Sequence, residues 1–294
     1  MSSSGEHVVL AKIQHNAPDL PVLKLVETAM IDDLAPVCER HKLARQRFSA
    51  VMEQGDFSLQ LLEAPQVAED EMRDAVRWKI KDLLNYDVAQ AVVDVFEIPG
   101  LKEQGRMPQI YAVSAHEDLL KERIQQFEAS GMDLCYIDIP ELVQRNIACR
   151  LPEDEAGVAL LYLQAQRGLL TLTHQSVLYL AREMEWGYEA LATAVKTDDA
   201  PLTLGEADVL DSITLEIQRS LDYYESHFGK PPIKNLVIAP LAKPVAGLLE
   251  HIRGSLGLKV RLLNLEEIID VSESLDMETQ AQAFYAIGAA LRAE

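Results

Sequence analysis

Residues 157–183, "GVALLYLQAQRGLLTLTHQSVLYLARE", contain three apolar runs that predict three successive β-strands, with Arg167-Gly168 at the first turn. A turn of this kind can bind a phosphate when glycines expose its backbone N–H groups and an acidic side chain anchors a metal ion. Residues 164–168 supply one glycine and no acid. Two interpretations stay open: Gln164, Gln166 and Arg167 contact a phosphate as substitute ligands, or the turn is an exposed hairpin turn, which we favour.

Other residues that could perform chemistry form no recognisable site. Asp222 and His227 lie five apart on a predicted helix, so they do not share a helical face, and a histidine near the helix C-terminus is favoured by the helix dipole. Cys38, Cys135 and Cys149 lack metal-ligand spacing and predict reduced thiols. The Ser, His and Asp residues match no nucleophile motif. We therefore expect no catalytic residue, no metal site and no cofactor.

The overall charge excludes some classes of partner. The 294 residues include 27 basic and 47 acidic side chains, for a formal net charge of -20. Nucleic acids and anionic membranes both require a concentrated basic surface, so neither is an expected partner. The N-terminal residues lack a signal-peptide pattern, and no apolar run reaches the roughly 18 residues of a membrane-spanning helix. We expect a cytoplasmic protein without direct membrane insertion.

The first half of the chain reads as alternating strands and helices, and its apolar periodicity predicts an α/β domain. Strands are predicted at 7–14, 21–29, 46–52, 57–65, 89–99, 108–115 and 132–139, and helices at 32–44, 70–84, 116–131 and 140–149.

The second half begins with the three strands of residues 157–183 and continues with a long helix over residues 206–228. Its apolar stripe predicts burial against a sheet; the stripe comprises Leu210, Ile213, Ile217, Leu221, Tyr224 and Phe228. A buried strand is predicted at 233–240, a helix at 241–257, a strand at 259–265 and a final helix at 277–294.

Three stretches carry a resemblance to a known family: "RWKIKDLLNYDVAQAVVDVFEIP" (77–99), "DIPELVQRNIA" (138–148) and "QRSLDYYESHFGKPPIKNLVIAP" (218–240). With them, the chain from about Val8 to Ala293 resembles the MshI family of biogenesis proteins of mannose-sensitive haemagglutinin (MSHA) type IV pili, which is similar to the actin-like PilM family. The resemblance implies an actin-like (ribonuclease H-like) α/β fold of duplicated lobes. The first lobe would cover 1–152, with an inserted α/β subdomain at about 57–138, and the second 153–294.

The resemblance also implies a function. Proteins of this family are cytoplasmic scaffolds of the pilus assembly platform, peripheral to the inner membrane through their partner. The implied partner is the N-terminal cytoplasmic segment of an inner-membrane, PilN-like pilus assembly protein.

An actin-like fold implies three nucleotide-binding elements, and all three differ here. The first hairpin turn, residues 14–21, has Asp19 but no glycine, and the second is the acid-free turn described above. A glycine pair would follow the penultimate strand, where this chain has Ala239 and Pro240. Pro240 lacks an N–H and Ala239 adds a Cβ, so close approach of a nucleotide is penalised. We expect a pseudo-ATPase. The alternatives are an active actin-like ATPase and a sugar-kinase-like enzyme, for which no carboxylate base stands out.

The predicted helix 70–84 suggests a partner surface. Met72, Val76, Ile80 and Leu83 follow steps of four, four and three and should face the inserted subdomain's sheet. Trp78 lies about 200° from Val76, on the opposite face of the helix. We expect Trp78, with nearby Tyr86, to line the groove in which the family resemblance places the partner's tail. The alternative is that a neighbouring element covers Trp78.

Overall fold

The structure is a computed structural model, and it describes residues 1–16, 19–100, 105, 107–194 and 204–292. The strands are β1 (Ser2–Ser4), β2 (His7–Gln14), β3 (Val22–Met30), β4 (Arg47–Val51), β5 (Phe57–Glu63), β6 (Ala91–Ile98), β7 (Gln109–His116), β8 (Asp133–Asp138), β9 (Val158–Leu163), β10 (Gly168–His174), β11 (Val177–Met184), β12 (Asn235–Ile238), β13 (Lys259–Leu262) and β14 (Asp270–Val271). The helices are α1 (Leu34–Arg40), α2 (Met72–Lys79), α3 (Glu117–Glu128), α4 (Pro140–Ala148), α5 (Tyr188–Ala194), α6 (Leu204–Phe228), α7 (Leu248–Leu256) and α8 (Met277–Ala290).

The chain divides into two units, each described by itself below. Unit 1 comprises Met1, Val9–Glu27 and Glu141–Glu294, and unit 2 comprises Ser2–Val8 and Thr28–Pro140. Among the helices that the structure describes, none combines the length and the apolar character needed to cross a lipid bilayer.

Unit 1 is built on a five-stranded sheet in the order β11-β10-β9-β12-β13. β9, β10 and β11 are antiparallel neighbours, which confirms the three strands predicted for residues 157–183. β12 runs parallel to both β9 and β13, and every residue of β9 is buried. Elsewhere in unit 1, the short strand β14 pairs in parallel with the start of β3.

The long helix α6 packs against β10 and β11, as its apolar stripe predicts. Ile213, Ile217, Tyr224 and Phe228 are completely buried, and the neighbouring Tyr179 of β11 contacts both aromatic rings. The period of 3.6 residues was therefore a sufficient guide to the buried face of this helix.

The helix predicted for residues 241–257 begins later than expected. α7 starts at Leu248, because Gly247 adopts a left-handed conformation with φ of 72° and ends the preceding turns. Pro244 also precedes it and lacks an N–H for a helical hydrogen bond. Similarly, α1 ends at Arg40 rather than at residue 44, and Lys42 and Arg45 adopt positive φ values of 53° and 62°.

Unit 2 contains two sets of strands. β1, β4 and β8 follow one another as parallel neighbours. β5, β7 and β6 form a separate antiparallel sheet in that order, covered by α2. The core between α2 and this sheet includes Val76 and Ile80, both completely buried, and Ile110 of β7. The next strand along the chain, β8, pairs with β4 and does not join the three-stranded sheet. The last residue of that sheet along the chain is therefore His116 of β7.

The predicted stripe on the helix over residues 70–84 was wrong at its last position. Val76 and Ile80 are buried as expected, but Leu83 is 58% exposed. The α-helix ends at Lys79 and a 3-10 turn follows over Lys81–Leu83, so the angular period changes. Leu84 packs against the core in place of Leu83.

Candidate functional site

The second hairpin turn, at the position expected of a phosphate loop, is braced by the helix that follows the sheet. Within the turn, the Gln164 N–H donates to the Arg167 carbonyl over 2.9 Å. The carbonyls of Gln164 and Ala165 accept hydrogen bonds of 2.8 and 3.0 Å from the N–H groups of Tyr188 and Glu189, in the first turn of α5. Two backbone N–H groups at the start of a helix, which can bind an anion, are thus engaged by the hairpin itself.

Gly187 makes this contact possible, and the sequence analysis missed it. A Cβ atom at Gly187 would lie 2.1 Å from the Gln164 carbonyl oxygen and 2.5 Å from the carbonyl carbon of Ala165. Only a glycine allows the two backbones to approach so closely. The available signal was the isolated glycine between Trp186 and Tyr188, directly after an apolar strand.

The backbone at Ala239 and Pro240, the position of the implied glycine pair, is also engaged. Both residues are buried, and the Ala239 N–H donates to the Leu161 carbonyl of β9 over 2.8 Å. Pro240 has no N–H to offer. Neither residue therefore presents a backbone donor that a nucleotide could use.

The described part of the first hairpin turn makes one local contact and one contact to the C-terminal helix α8. Gln14 donates from its Nε2 to the Asn16 side chain over 2.9 Å, and the ring Nε2 of His15 lies 3.0 Å from the Ala290 carbonyl. Residues 17 and 18 of this predicted turn lie outside the described residues. Asp19, the acid noted in the sequence, is exposed.

An aromatic cluster lies between β9 and α8, and the sequence pattern did not predict it. The rings of Tyr162 and Phe284 stack at 4.4 Å, and Tyr285 meets Tyr162 edge-on at 4.8 Å. The Tyr162 hydroxyl donates to the Ala281 carbonyl over 2.9 Å. Burial raises the pKa of Tyr162 and that of Tyr285 well above the usual range. These phenols stay neutral, so they serve packing and not acid–base chemistry.

The described residues supply no ready metal centre. Over residues 1–16, 19–100, 105, 107–194 and 204–292, no three His, Cys, Asp or Glu side chains are grouped as metal ligands would be. The acids nearest in sequence to the two hairpins, such as Asp19, are not brought into such a group.

The predicted partner-binding residues lie in unit 2, and the structure gives them different environments. Trp78 is on the solvent-facing side of α2 and is 63% exposed. Tyr86 is half-buried, packs against the core under α2 and meets the His116 ring edge-on at 5.0 Å. Burial raises the pKa of the Tyr86 phenol, and the Ser114 hydroxyl partly offsets this. The aromatic contacts of the described residues do not join Trp78 to Tyr86.

Comparison with known proteins gives a likeness in structure but not in sequence. No known family model matches the sequence, and no curated protein matches it. Among solved structures, the chain is similar to one in a "PilM-PilN type IV pilus biogenesis complex", with a TM-score of 0.76 and 15% identity over 99% of this chain and 96% of that one.

Two other solved structures are less similar. One is the cytoplasmic domain of EpsL, an inner-membrane component of the type II secretion system of Vibrio cholerae, with a TM-score of 0.47 and 11% identity over 94% of each chain. The other is a Bacteroides thetaiotaomicron protein with an actin-like ATPase fold, with a TM-score of 0.48 and 10% identity over 96% of this chain and 93% of that one.

The predicted fold class is confirmed. The chain has an actin-like α/β fold, in which β5, β7 and β6 form a three-stranded sheet of their own.

Proposed function

We propose that this chain is a non-catalytic scaffold of a type IV pilus assembly platform, of the MshI type found with MSHA pili. Its partner in this proposal is the N-terminal cytoplasmic tail of a PilN-like inner-membrane protein, which would hold the scaffold at the membrane from the cytoplasmic side. The observation that carries the proposal is the likeness in fold to a chain of the PilM-PilN complex over 99% of this sequence. The resemblance of residues 77–99, 138–148 and 218–240 to the MshI family agrees with it.

The same proposal includes the division of the chain. The first lobe covers 1–152, with its insertion at about 57–138, and the second lobe covers 153–294. Limited proteolysis with mass spectrometry is the direct measurement. Protected fragments that end near residue 152 support this division, and cleavage inside the β9–β11 meander contradicts it.

The backbone at the nucleotide-binding positions supports the pseudo-ATPase part of the proposal. The Ala239 N–H and the first N–H groups of α5 donate to backbone carbonyls, and Pro240 has none to donate. The competing function is an active actin-like ATP-binding protein, and the exposed Arg167 on the hairpin turn favours it, since a guanidinium is a competent phosphate ligand.

Thermal denaturation with and without Mg-ATP separates these two functions. A ligand at about 100 times its Kd stabilises the folded state by roughly 2.7 kcal/mol, so true binding raises the Tm measurably. We expect no shift at millimolar Mg-ATP. A shift in the natural protein that is lost in Arg167→Ala would establish the ATP-binding alternative instead.

Trp78 supports the partner part of the proposal. A tryptophan that is 63% exposed leaves a large apolar ring in water, and Leu83, further along the same segment, is 58% exposed. Tryptophan is enriched among interface residues whose truncation weakens binding most. Tyr86, half-buried behind this face, would act as a fixed wall for the bound tail.

The test is the affinity for a synthetic peptide of the PilN-like protein's N-terminal tail. Trp78→Ala should weaken binding by about 30-fold, which corresponds to a hot-spot loss of about 2 kcal/mol. Because the side chain is mostly exposed, the free energy of unfolding should change by less than about 0.5 kcal/mol. The matched control is Leu215→Ala, since Leu215 of α6 is also exposed, at 49%; it should leave peptide affinity unchanged.

Two results would contradict the assignment of this surface. If Trp78→Ala unfolds the protein, Trp78 is a core residue in solution. If it neither unfolds the protein nor weakens peptide binding, the tail binds elsewhere.

A further inference from the structure

The inserted subdomain contains a cavity that the proposed function does not use. It has a volume of about 700 Å³ and lies where the loop after β5, the start of α2, the end of β6 and the start of β7 meet. This volume falls within the range of roughly 300–1,000 Å³ typical of protein binding sites. Met72 lines the cavity, and Trp78 lies six residues after Met72, which corresponds to about 9 Å along the helix axis. Neither Trp78 nor Tyr86 is among the residues that line the cavity, so it differs from the proposed tail-binding surface.

The floor of the cavity is apolar and held in place by the core. Ile110 is completely buried, and Met72 packs against the same cluster of residues. The Phe96 ring stacks on Tyr111 at 5.2 Å. These contacts fix the floor before any ligand arrives, which reduces the entropy lost on binding.

The upper wall of the cavity remains apolar where it meets solvent. Val67 is 40% exposed and Met107 is 51% exposed. A small molecule inside the cavity would leave both side chains in water, whereas a chain segment lying across it would cover them. The methionine side chain is unbranched and adapts readily to the shape of a partner.

The rim carries an excess of negative charge. Glu69, Asp70 and Glu97 line the cavity, and the ion pairs of the described residues include none of them. Arg73, the one cation among the described residues of the lining, pairs with Asp94 at 2.9 Å. Among the described lining residues, carboxylates outnumber cations, and a ligand meets them at this part of the rim.

We propose that this cavity binds a segment of a partner protein in which apolar side chains are flanked by lysine or arginine. The apolar side chains enter between Phe96 and Met107, and the flanking cations lie against Glu69, Asp70 and Glu97. Charge complementarity selects this occupant: an acidic segment or an anionic lipid surface would be repelled by the same carboxylates.

The probe is an acetylated and amidated heptapeptide with Leu-Phe-Leu between two pairs of lysines. The full chain is labelled with carbon-13 at the methionine methyl groups and titrated at about 0.15 M salt, where long-range attraction is screened. The Met72 and Met107 signals, assigned by Met→Leu replacement, should shift saturably, while that of the buried Met184 of unit 1 should not. A peptide with serines in place of Leu-Phe-Leu, and another with glutamates in place of the lysines, should give no saturable shift.

The matched variants test the rim. Glu69→Lys combined with Asp70→Lys reverses two exposed acids of a 3-10 turn and should weaken peptide binding about tenfold or more. Asp32→Lys combined with Asp33→Lys makes the same change in another exposed 3-10 turn of unit 2, away from the cavity lining, and should alter affinity less than twofold.

Several results would overturn the proposal. The proposal fails if both double variants weaken peptide binding equally, or if the serine peptide binds as tightly as the Leu-Phe-Leu peptide. It also fails if the glutamate peptide binds, or if the Met72 and Met107 signals do not shift. A Met107 signal that depends on protein concentration without peptide would show that a second copy of this chain occupies the cavity instead.

Discussion

Gly187→Ala should separate the hairpin turn of β9 and β10 from the start of α5. The added Cβ would lie 2.1 Å from the Gln164 carbonyl oxygen and 2.5 Å from the carbonyl carbon and oxygen of Ala165. All of these are backbone atoms, so no side-chain rotation relieves the overlap. The chain at Gly187 must move away, and the hydrogen bonds from Tyr188 and Glu189 to the turn lengthen or break.

The expected loss follows from those contacts. Two backbone hydrogen bonds contribute about 1 kcal/mol each, and overpacking adds about 1–2 kcal/mol, for a total of about 3–4 kcal/mol. Gly187 is not among the glycines with a positive φ, so alanine at this position lowers the entropy of the unfolded chain. This offsets at most about 1 kcal/mol of the loss. We expect a net destabilisation of about 2–3 kcal/mol and a Tm lower by about 5–10 °C.

Urea denaturation followed by far-UV circular dichroism measures this change, and Gly254→Ala is the matched control. Gly254 lies inside α7, and a Cβ there would meet no atom within 4 Å. Its replacement should stabilise the protein by about 0.5–1 kcal/mol through helix propensity. The reasoning is refuted if Gly187→Ala is as stable as the natural protein, or if the two variants change stability in the same direction.

Two further predictions concern the packing and charge of unit 1. Gly288→Ala should destabilise the protein by about 2 kcal/mol in urea denaturation, because the added Cβ would lie 2.6 Å from a Val143 methyl group of α4. Adding Val143→Ala to this variant should recover part of the loss, and simple additivity of the two changes would contradict the contact. Arg261 donates from its Nε to the Glu153 carboxylate over 2.6 Å, and this hydrogen bond lowers the pKa of that carboxyl. The pair therefore stabilises the folded state at pH values above the ordinary pKa of a glutamate, and this stabilisation is lost as the pH falls through the lowered pKa. Arg261→Met should therefore be about 1 kcal/mol less stable at pH 7, and this difference should shrink as the pH falls through the lowered pKa of Glu153. A difference independent of pH would show that the pair contributes through packing alone.

The parts of the fold with a simple apolar period could be predicted from the sequence. The three strands of the β9–β11 meander and the buried face of α6 agree with the structure because their apolar residues face one sheet throughout. The boundaries of shorter helices could not be predicted in the same way. α7 begins only at Leu248, after the left-handed Gly247, and α2 ends at Lys79, before the exposed Leu83. There, one residue's backbone conformation outweighs the pattern of its neighbours.

The candidate site depended on contacts that no local pattern encodes. The absence of an acid and of a glycine pair was visible in the sequence at residues 164–168 and at Ala239-Pro240. The hydrogen bond from Ala239 to Leu161 and the approach of Gly187 to Gln164 join residues far apart in the chain. Trp78 could be placed on the outer face of its helix by angle alone, but the cavity beside Met72 required the three-stranded sheet.

The engaged backbone groups explain how an actin-like fold can stand without a nucleotide. A buried N–H or carbonyl that a ligand no longer contacts must find a partner in the protein, because leaving it unpaired costs about 1–3 kcal/mol. At the hairpin turn, the carbonyls of Gln164 and Ala165 find theirs in α5; at the end of β12, the Ala239 N–H finds its partner in β9. In the proposed pseudo-ATPase, these backbone groups are satisfied within the protein and need no ligand.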